Sequence, residues 1–237
     1  SDGHWQLGTR RPVSLRIGEI VNQVTAKNVT ADLQGTWPYS ETSPLQLSNV
    51  SVDILGGKLT MQQLRMPQHD PALLRLQNIS TSELISAVNT KQFAMSGAMN
   101  GALPLWLNND KWIIKDGWLN NPGPMTLRVD KDMADAIVDD NIAAGAAINW
   151  LRYMEISRSW TKINLDNLGM LTLDARISGT SRVDGKSNTV HLNYTHQENV
   201  FDLWRSLRFG DNLQSWLEQH ATLPVSRCDG GKECKEQ

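Results

Sequence analysis

The chain has 237 residues, of which 40% are hydrophobic, a formal net charge of −2 and a pI near 6.2. This charge balance gives no basic surface for nucleic acid, so we expect no nucleic-acid partner. No run of about 18 apolar residues occurs, and we expect no membrane-spanning helix here. The sequence opens at Ser1 rather than at a methionine, and we expect it to be a fragment of a longer chain.

The first eighty residues alternate apolar and polar side chains in short runs, which is typical of half-buried β-strands. Apolar parity changes within one of these runs, and this change predicts a β-bulge near Ser48-Asn49. Gly56-Gly57 predicts the hairpin turn that follows. Ser80 to Glu83 has the capping-box pattern and predicts a helix over residues 81–89. The predicted strands lie within residues 13–17, 29–37, 45–54, 59–66 and 74–79.

The longest alternating run lies in the middle of the chain and predicts one continuous strand over residues 93–107. Asn108 to Asp110 predict a turn, because Asn and Asp tolerate left-handed backbone. Strands over 112–119 and 125–129 complete a predicted three-stranded meander, with a turn at Pro122-Gly123 between them. The apolar members of the long run share one parity and so share one face: Phe93, Met95, Met99, Leu103, Leu105 and Leu107.

The second half of the chain adds helices and a second long alternating run. The segment 131–156 is rich in Asp and then Ala and predicts helix, as does the apolar spacing of 199–220. Between them, residues 163–165, 171–179 and 190–194 predict strands, with a hairpin turn at Asp184-Gly185. We therefore predict a mainly β single domain over 1–224, followed by a flexible tail over 225–237.

The sequence contains no motif typical of catalysis, a cofactor or a metal site. Its five histidines lack the spacing of metal ligands. The aspartate pairs near 130–140 lie where the predicted helices begin, and aspartate is favourable at a helix N-terminus. Cys228 and Cys234 form a disulfide or remain inert thiols of the tail, since a zinc site needs further ligands nearby. We expect no catalytic residue, no metal and no cofactor.

Three tryptophans near the long run leave a carbohydrate-binding alternative open. Trp106, Trp112 and Trp118, with the amides of Asn108 and Asn120-Asn121, resemble a sugar-stacking platform for a glycan or peptidoglycan. The other interpretation places these rings in a core or at the rim of an apolar groove. Parity alone does not decide which face they occupy.

The predicted strands carry more apolar surface than the predicted helices cover. Such a sheet either closes on itself as a core or binds something apolar. A lipid chain of about fifteen methylenes costs on the order of 12 kcal/mol to expose to water, and an open apolar trough removes that cost. Parity gives a candidate groove lining of Phe93, Met95, Met99, Leu103, Leu105, Leu107, Leu171, Leu173 and Ile177.

The central stretch also carries a family resemblance. Its pattern is S-G-x-x-x-G-x-L-P-L-x-L, a polar turn, I-x-D-G-x-L and then P-G. This pattern resembles the C-terminal domain of YdbH-like proteins, within the AsmA-like, TamB-related family of inter-membrane lipid-transport proteins. The matching residues are Gly97, Gly101, Leu103, Pro104, Leu105, Ile114, Asp116, Gly117, Leu119, Pro122 and Gly123.

The resemblance implies a twisted antiparallel sheet curved into an open, taco-like trough. It implies a non-enzymatic segment of a periplasmic protein of a Gram-negative bacterium, whose full-length chain is anchored in the inner membrane and conducts phospholipid to the outer membrane. The implied partners are phospholipid, the upstream part of the same chain and a small outer-membrane lipoprotein. The alternative is a structural module that docks an outer-membrane partner by strand addition. Motif residues such as Gly97, Pro104 and Asp116 are expected to shape the groove end.

Overall fold

The computed structural model describes residues 6–21, 24–87, 93–108, 111–130, 153–183 and 185–200. The chain divides into two units, Ser1–Asn199 and Val200–Gln237, and the elements below lie in the first. They are β1 (Leu7–Ile20), β2 (Ala26–Trp37), β3 (Leu45–Ile54), β4 (Gly57–Met66), β5 (Ala72–Ser80), α1 (Thr81–Ala87), β6 (Phe93–Ser96), β7 (Ala98–Asn108), β8 (Lys111–Asn120), β9 (Met125–Val129), β10 (Tyr153–Leu165), β11 (Met170–Val183) and β12 (Lys186–Asn199).

The twelve strands of the described residues form one antiparallel sheet. Its main path runs β1-β2-β3-β4-β5-β7-β8-β10-β11-β12, and β6 and β9 branch from it. Within the described residues, β1 pairs only with β2 and β12 only with β11, so these strands do not close into a barrel. This confirms the prediction of a mainly β fold with an open antiparallel sheet.

The sheet branches at Gly97, where the sequence predicted one continuous strand. β6 pairs with β9, whereas β7 pairs with β5 and β8. Gly97 has a φ of 103°, and a Cβ there would lie 2.7 Å from Cγ of Met125. Only glycine adopts this backbone easily. The continuous strand was therefore a wrong prediction, because apolar parity is retained across the break.

The predicted meander over 93–129 is correct for its first hairpin and wrong for its third strand. β7 pairs with β8 from Asn100↔Asn120 to Asn108↔Lys111, as predicted. In the described ladders, however, β9 pairs with β6 and with the first part of β10 rather than with β8. β10 therefore has β9 beside residues 153–156 and β8 beside residues 160–165.

The helix predictions are partly confirmed. Helix α1 occupies the start of the predicted 81–89 segment, and the N–H of Glu83 donates to Oγ of Ser80 (3.4 Å), as an N-cap requires. Helix over 131–156 is wrong at its end, because residues 153–156 alternate between the two faces of β10 and pair with β9. Helix over 199–220 is wrong at Asn199, the last residue of β12. The segments 131–152 and 201–220 lie outside the described residues.

Turn and bulge chemistry in the first half follows the sequence closely. Asn49 has a φ of 51°, and the β2–β3 register shifts beside it, which confirms the predicted bulge. The hairpin between β3 and β4 is also confirmed, but its turn residues are Leu55 and Gly56, with φ of 51° and 69°. The predicted turn was therefore one residue too late, since Gly57 already belongs to β4.

The buried core is concentrated where β6, β9, β10 and β12 meet. Met154 and Ile156 are the most deeply enclosed of this cluster, at 0% and 1% exposure. We call the following six residues the buried cluster: Met125, Leu127, Val129, Met154, Ile156 and Val190. Away from it, most apolar side chains of the described strands are only partly buried. The sheet therefore carries apolar surface that the described residues cover incompletely.

Candidate functional site: the apolar face of the sheet

Apolar side chains form rows that cross one face of the sheet from strand to strand. Directly opposed residues of an antiparallel ladder lie on the same face, so the registers assign the rows. One row runs Ala72–Leu105–Ile114–Leu165–Leu171. A second runs Val52–Leu59–Leu76–Gly101–Leu119–Thr161–Ala175. We call the surface made by these rows, and by the residues that share their face, the apolar face.

The structure brings the two predicted leucine runs together on this face. Leu105 of β7 and Leu171 of β11 belong to the same row, although 66 positions separate them in the sequence. Leu103 lies opposite Leu74, and Leu173 lies opposite Ile163. Parity in each run therefore predicted residues that share a face across four strands. Their role in binding a ligand stays a prediction.

The other members of the predicted lining lie nearer the core. Met95, Met99 and Ile177 pack against the buried cluster. Leu107 is partly buried on β7, opposite Trp112. Phe93 pairs with Val129 through the backbone, and its side chain lies outside the described part of the structure. The lining thus divides into a packed part near the cluster and partly exposed leucines on β7 and β11.

The glycine at position 101 of the motif has a steric explanation. A Cβ at Gly101 would lie 2.5 Å from Cδ2 of Leu119 and 2.5 Å from the carbonyl oxygen of Trp118. Both atoms belong to β8, which approaches β7 too closely here for any side chain. The motif therefore holds two neighbouring strands of the apolar face in close contact.

Asp116 and Gly117 mark an irregularity in β8. Asp116 has a φ of 55°, its N–H donates to Oδ1 of Asn164 (2.9 Å), and its carboxylate binds Nζ of Lys162 (2.8 Å). The hydrogen bond and the charge of Asp116 raise the pKa of Lys162. This irregularity shifts the parity of β8, so that Ile114 and Leu119 both point to the apolar face.

Pro104, Pro122 and Gly123 lie where they limit strand pairing or form a turn. Pro104 is opposite Leu73 on the other face, and Pro122-Gly123 follows β8. Asn121 holds that turn, since its Nδ2 donates to the carbonyl oxygen of Gly123 (2.7 Å) and its Oδ1 accepts from N–H of Ser159 (2.5 Å). From the sequence, Asn121 was predicted only as a possible contact for a glycan, and this role in the turn was not predicted. An Asn directly before Pro-Gly was the available signal.

The three tryptophans do not form one platform. Trp112 shares the apolar face with Leu107, whereas Trp118 lies opposite Ala102 on the other face. Trp118 instead stacks on Trp160, with ring centroids 5.1 Å apart and an interplanar angle of 10°. Trp106 lies opposite Ile113, also away from the apolar face. The alternative of one platform of three rings is wrong, because the β7–β8 register places Trp112 on the apolar face and both Trp106 and Trp118 on the opposite face.

The described residues were compared with what a metal site and a membrane-spanning helix require. Within residues 6–21, 24–87, 93–108, 111–130, 153–183 and 185–200, no group of three or more His, Cys, Asp or Glu side chains is arranged to hold a metal ion. In the same ranges, no helix has the length and apolarity to cross a membrane. Cys228 and Cys234 lie outside these ranges, so their pairing stays a prediction.

Comparison with known proteins adds independent information. A family model for YdbH-like proteins, described as "Intermembrane phospholipid transport protein YdbH", matches residues 1–222. The chain belongs to the YdbH-like family. It is 73% identical over 237 residues to "Probable phospholipid transport protein YdbH" of Escherichia coli (strain K12). That alignment covers 100% of this chain and 27% of the relative, so the chain spans about a quarter of its length. No solved structure matches the chain.

Membership of the YdbH-like family confirms the resemblance carried by the central motif. The family is described by transport of phospholipid between membranes rather than by a reaction. This description agrees with a chain whose motif residues are explained by strand packing and turn geometry.

Proposed function

We propose that this chain is one segment of a periplasmic bridge-type protein that conducts phospholipid between the inner and outer membranes. The observation that carries the proposal is the apolar face, whose rows cross from β3 to β11 on an open sheet. Lipid tails lie against these rows, and the headgroups remain in water. The segment acts by binding and catalyses no reaction.

The free-energy cost of exposing a lipid tail to water explains why an apolar surface is sufficient for transport. Each methylene of a lipid tail costs about 0.8 kcal/mol when it is exposed to water. Leu103, Leu105, Leu107, Leu171 and Leu173 are partly buried within the sheet and retain area for contact with a tail. A tail that moves from row to row exchanges one apolar contact for an equivalent one. Transport along the face therefore needs no step in which a whole tail is exposed.

The remaining parts of the proposed system rest on the family resemblance, and the YdbH relative is long enough to contain further segments. The upstream part of the longer chain supplies the inner-membrane anchor and continues the apolar surface. A small outer-membrane lipoprotein is the partner at the other end, and it docks by strand addition to an edge of the sheet. The motif residues, among them Gly97, Gly101 and Asp116, hold the strands that shape the end of the groove.

Lipid analysis of the chain purified without detergent tests the proposal. The double variant Leu103→Asp/Leu105→Asp places two carboxylates in adjacent rows of the apolar face. A tail that covers them must desolvate them, which costs several kcal/mol, so we expect at least about a ten-fold loss of bound phospholipid. Leu73→Asp is the matched control, because Leu73 lies on the neighbouring strand β5 and points to the opposite face.

Three outcomes decide the test. Phospholipid retained by the wild type and the control, but lost from a double variant with unchanged circular dichroism, supports the proposal. A wild type that carries no phospholipid and takes none from vesicles contradicts it. If the double variant unfolds, Leu171→Gln on β11 provides the second measurement, and undiminished lipid binding by that folded variant counts against the apolar face.

A further inference from the structure

The rows of the apolar face become polar at β12, which lies at the edge of the sheet formed by the described residues. Ala175, Leu173 and Leu171 of β11 lie directly opposite Tyr194, His196 and Glu198 of β12. Three successive rows that are mainly apolar across the sheet therefore end in polar side chains on the same face. We call Tyr194, His196 and Glu198 the polar rim.

The polar rim is a connected set rather than three separate side chains. Nε2 of His196 lies 3.2 Å from Oε2 of Glu198, and the hydroxyl of Tyr194 lies 3.3 Å from Nδ1 of His196. The Tyr194 and His196 rings are stacked, with centroids 6.1 Å apart. Tyr194 also packs against the buried cluster, which anchors one end of the set.

The hydrogen-bond directions follow from the chemistry of the three groups. An ionised carboxylate only accepts, so Nε2–H of a neutral His196 donates to Glu198. Nδ1 of that tautomer then accepts, and the Tyr194 hydroxyl is the donor. The set therefore orients His196 and presents the negative charge of Glu198 at the edge of the apolar face.

Glu198 is available to a ligand. Its side chain is 50% exposed and that of His196 is 40% exposed. On β11, the residues that face the polar rim are apolar, so the neighbouring strand brings no cation to Glu198. Among the described residues, this carboxylate accepts a hydrogen bond from His196 and forms no ion pair with a Lys or Arg side chain.

We propose that the polar rim binds phospholipid headgroups and favours those that carry a primary ammonium group. This inference rests on the proposed function, because tails on the apolar rows bring the headgroup to the edge where the rows end. Every phospholipid brings a phosphate, but only some headgroups bring a cation. The Glu198 carboxylate pairs with an ammonium and repels a headgroup whose only charge is the phosphate.

Competition between two lipids with identical acyl chains tests the inference. The 237-residue chain is incubated with vesicles of equimolar phosphatidylethanolamine and phosphatidylglycerol, separated by flotation, and its bound lipid is quantified by mass spectrometry. A half-exposed ion pair changes affinity only modestly, so we expect about a three-fold preference for phosphatidylethanolamine. Glu198→Gln should bring the ratio close to one, and Glu198→Lys should favour phosphatidylglycerol.

Glu155→Gln is the matched control. Glu155 is also an exposed carboxylate on a strand, but it points away from the apolar face, since its neighbours Met154 and Ile156 are buried on that face. An unchanged preference in this variant supports the polar rim as the source of selectivity. Tyr194→Phe should weaken the preference for phosphatidylethanolamine, because it removes the hydroxyl that bonds Nδ1 of His196.

The outcomes separate this inference from the proposed function. If the wild type binds both lipids without preference, or if Glu155→Gln abolishes the preference as fully as Glu198→Gln, the polar rim is not selective, while the apolar face still binds lipid. If the wild type binds neither lipid, the proposed function is refuted and this inference with it.

Discussion

Gly101→Ala should destabilise the chain through a single added carbon. The new Cβ would lie 2.5 Å from the carbonyl oxygen of Trp118, which is about 0.9 Å closer than an ordinary 3.4 Å contact. That oxygen is backbone in the β7–β8 hairpin, so relief requires the two strands to separate. Overpacking of this kind costs about 2 kcal/mol, which lowers Tm by about 4–8 °C in a chain of this size.

Gly123→Ala is the matched control, because a Cβ at Gly123 would meet no atom within 4 Å. We expect its free energy of unfolding to stay within about 0.5 kcal/mol of the wild type. Urea unfolding followed by circular dichroism measures the free energy of unfolding of each variant, and a thermal scan measures its Tm. If Gly101→Ala is as stable as Gly123→Ala, the close approach of β7 and β8 does not explain the motif glycine.

Three further predictions concern the core, one carboxylate and the irregularity in β8. Ile156→Ala should lower the free energy of unfolding, measured in urea, by about 2–5 kcal/mol, because Ile156 is buried. Leu173→Ala should lower it by less, because Leu173 is only partly buried. Hydrogen bonds from Asn49 and Ser14 hold the pKa of Asp32 below its ordinary 3.8, so this carboxylate stabilises the fold above that pH and loses its contribution as the pH falls through the lowered value. Urea midpoints of Asp32→Asn should therefore fall less steeply below about pH 4. Asp116→Asn should cost less than about 1 kcal/mol, whereas Asp116→Val should cost about 1–2 kcal/mol more because valine resists a φ of 55°. Equal stabilities of the two Asp116 variants would contradict this reason.

Alternation in the sequence was sufficient to predict most of the sheet. Period-two runs identify strands wherever one face is more apolar than the other, and each strand in 13–80 and 163–194 was placed in this way. The bulge at Asn49 was also predictable, because a parity change inside a strand has a local cause. Each of these features depends only on residues that are close together in the sequence, so the sequence alone was enough to predict them.

Pairing between strands that lie far apart in the sequence was harder to predict. The break at Gly97 leaves parity unchanged, so nothing in the alternation shows that β6 leaves the path of β7. The start of β10 was mistaken for helix because the preceding segment is rich in Ala, while its ladder with β9 depends on residues about thirty positions away. Long-range pairing overrides local propensity in such places.

The candidate site shows the same division. Parity correctly grouped Leu103 and Leu105, and separately Leu171 and Leu173, but their common face depends on two intervening strands. The faces of the tryptophans were left open by the sequence, because the left-handed residue Asp116 reverses parity after Ile114 and so separates Trp118 from Trp112. The sequence does not predict a positive φ at a residue other than glycine, although aspartate in an Asp-Gly dipeptide tolerates one.

The proposed transport depends on the division of the apolar face into the buried cluster and the leucine rows. A protein that holds lipid in one deep site releases it slowly, since each additional buried methylene adds about 0.8 kcal/mol. A face of repeated leucine rows, two residues or about 7 Å apart along each strand, offers similar contacts at successive positions and no single deep minimum. Stability must then come from elsewhere, and the buried cluster around Met154 and Ile156 supplies it. Substitutions in the rows should therefore affect lipid binding more than folding, and substitutions in the cluster should do the reverse.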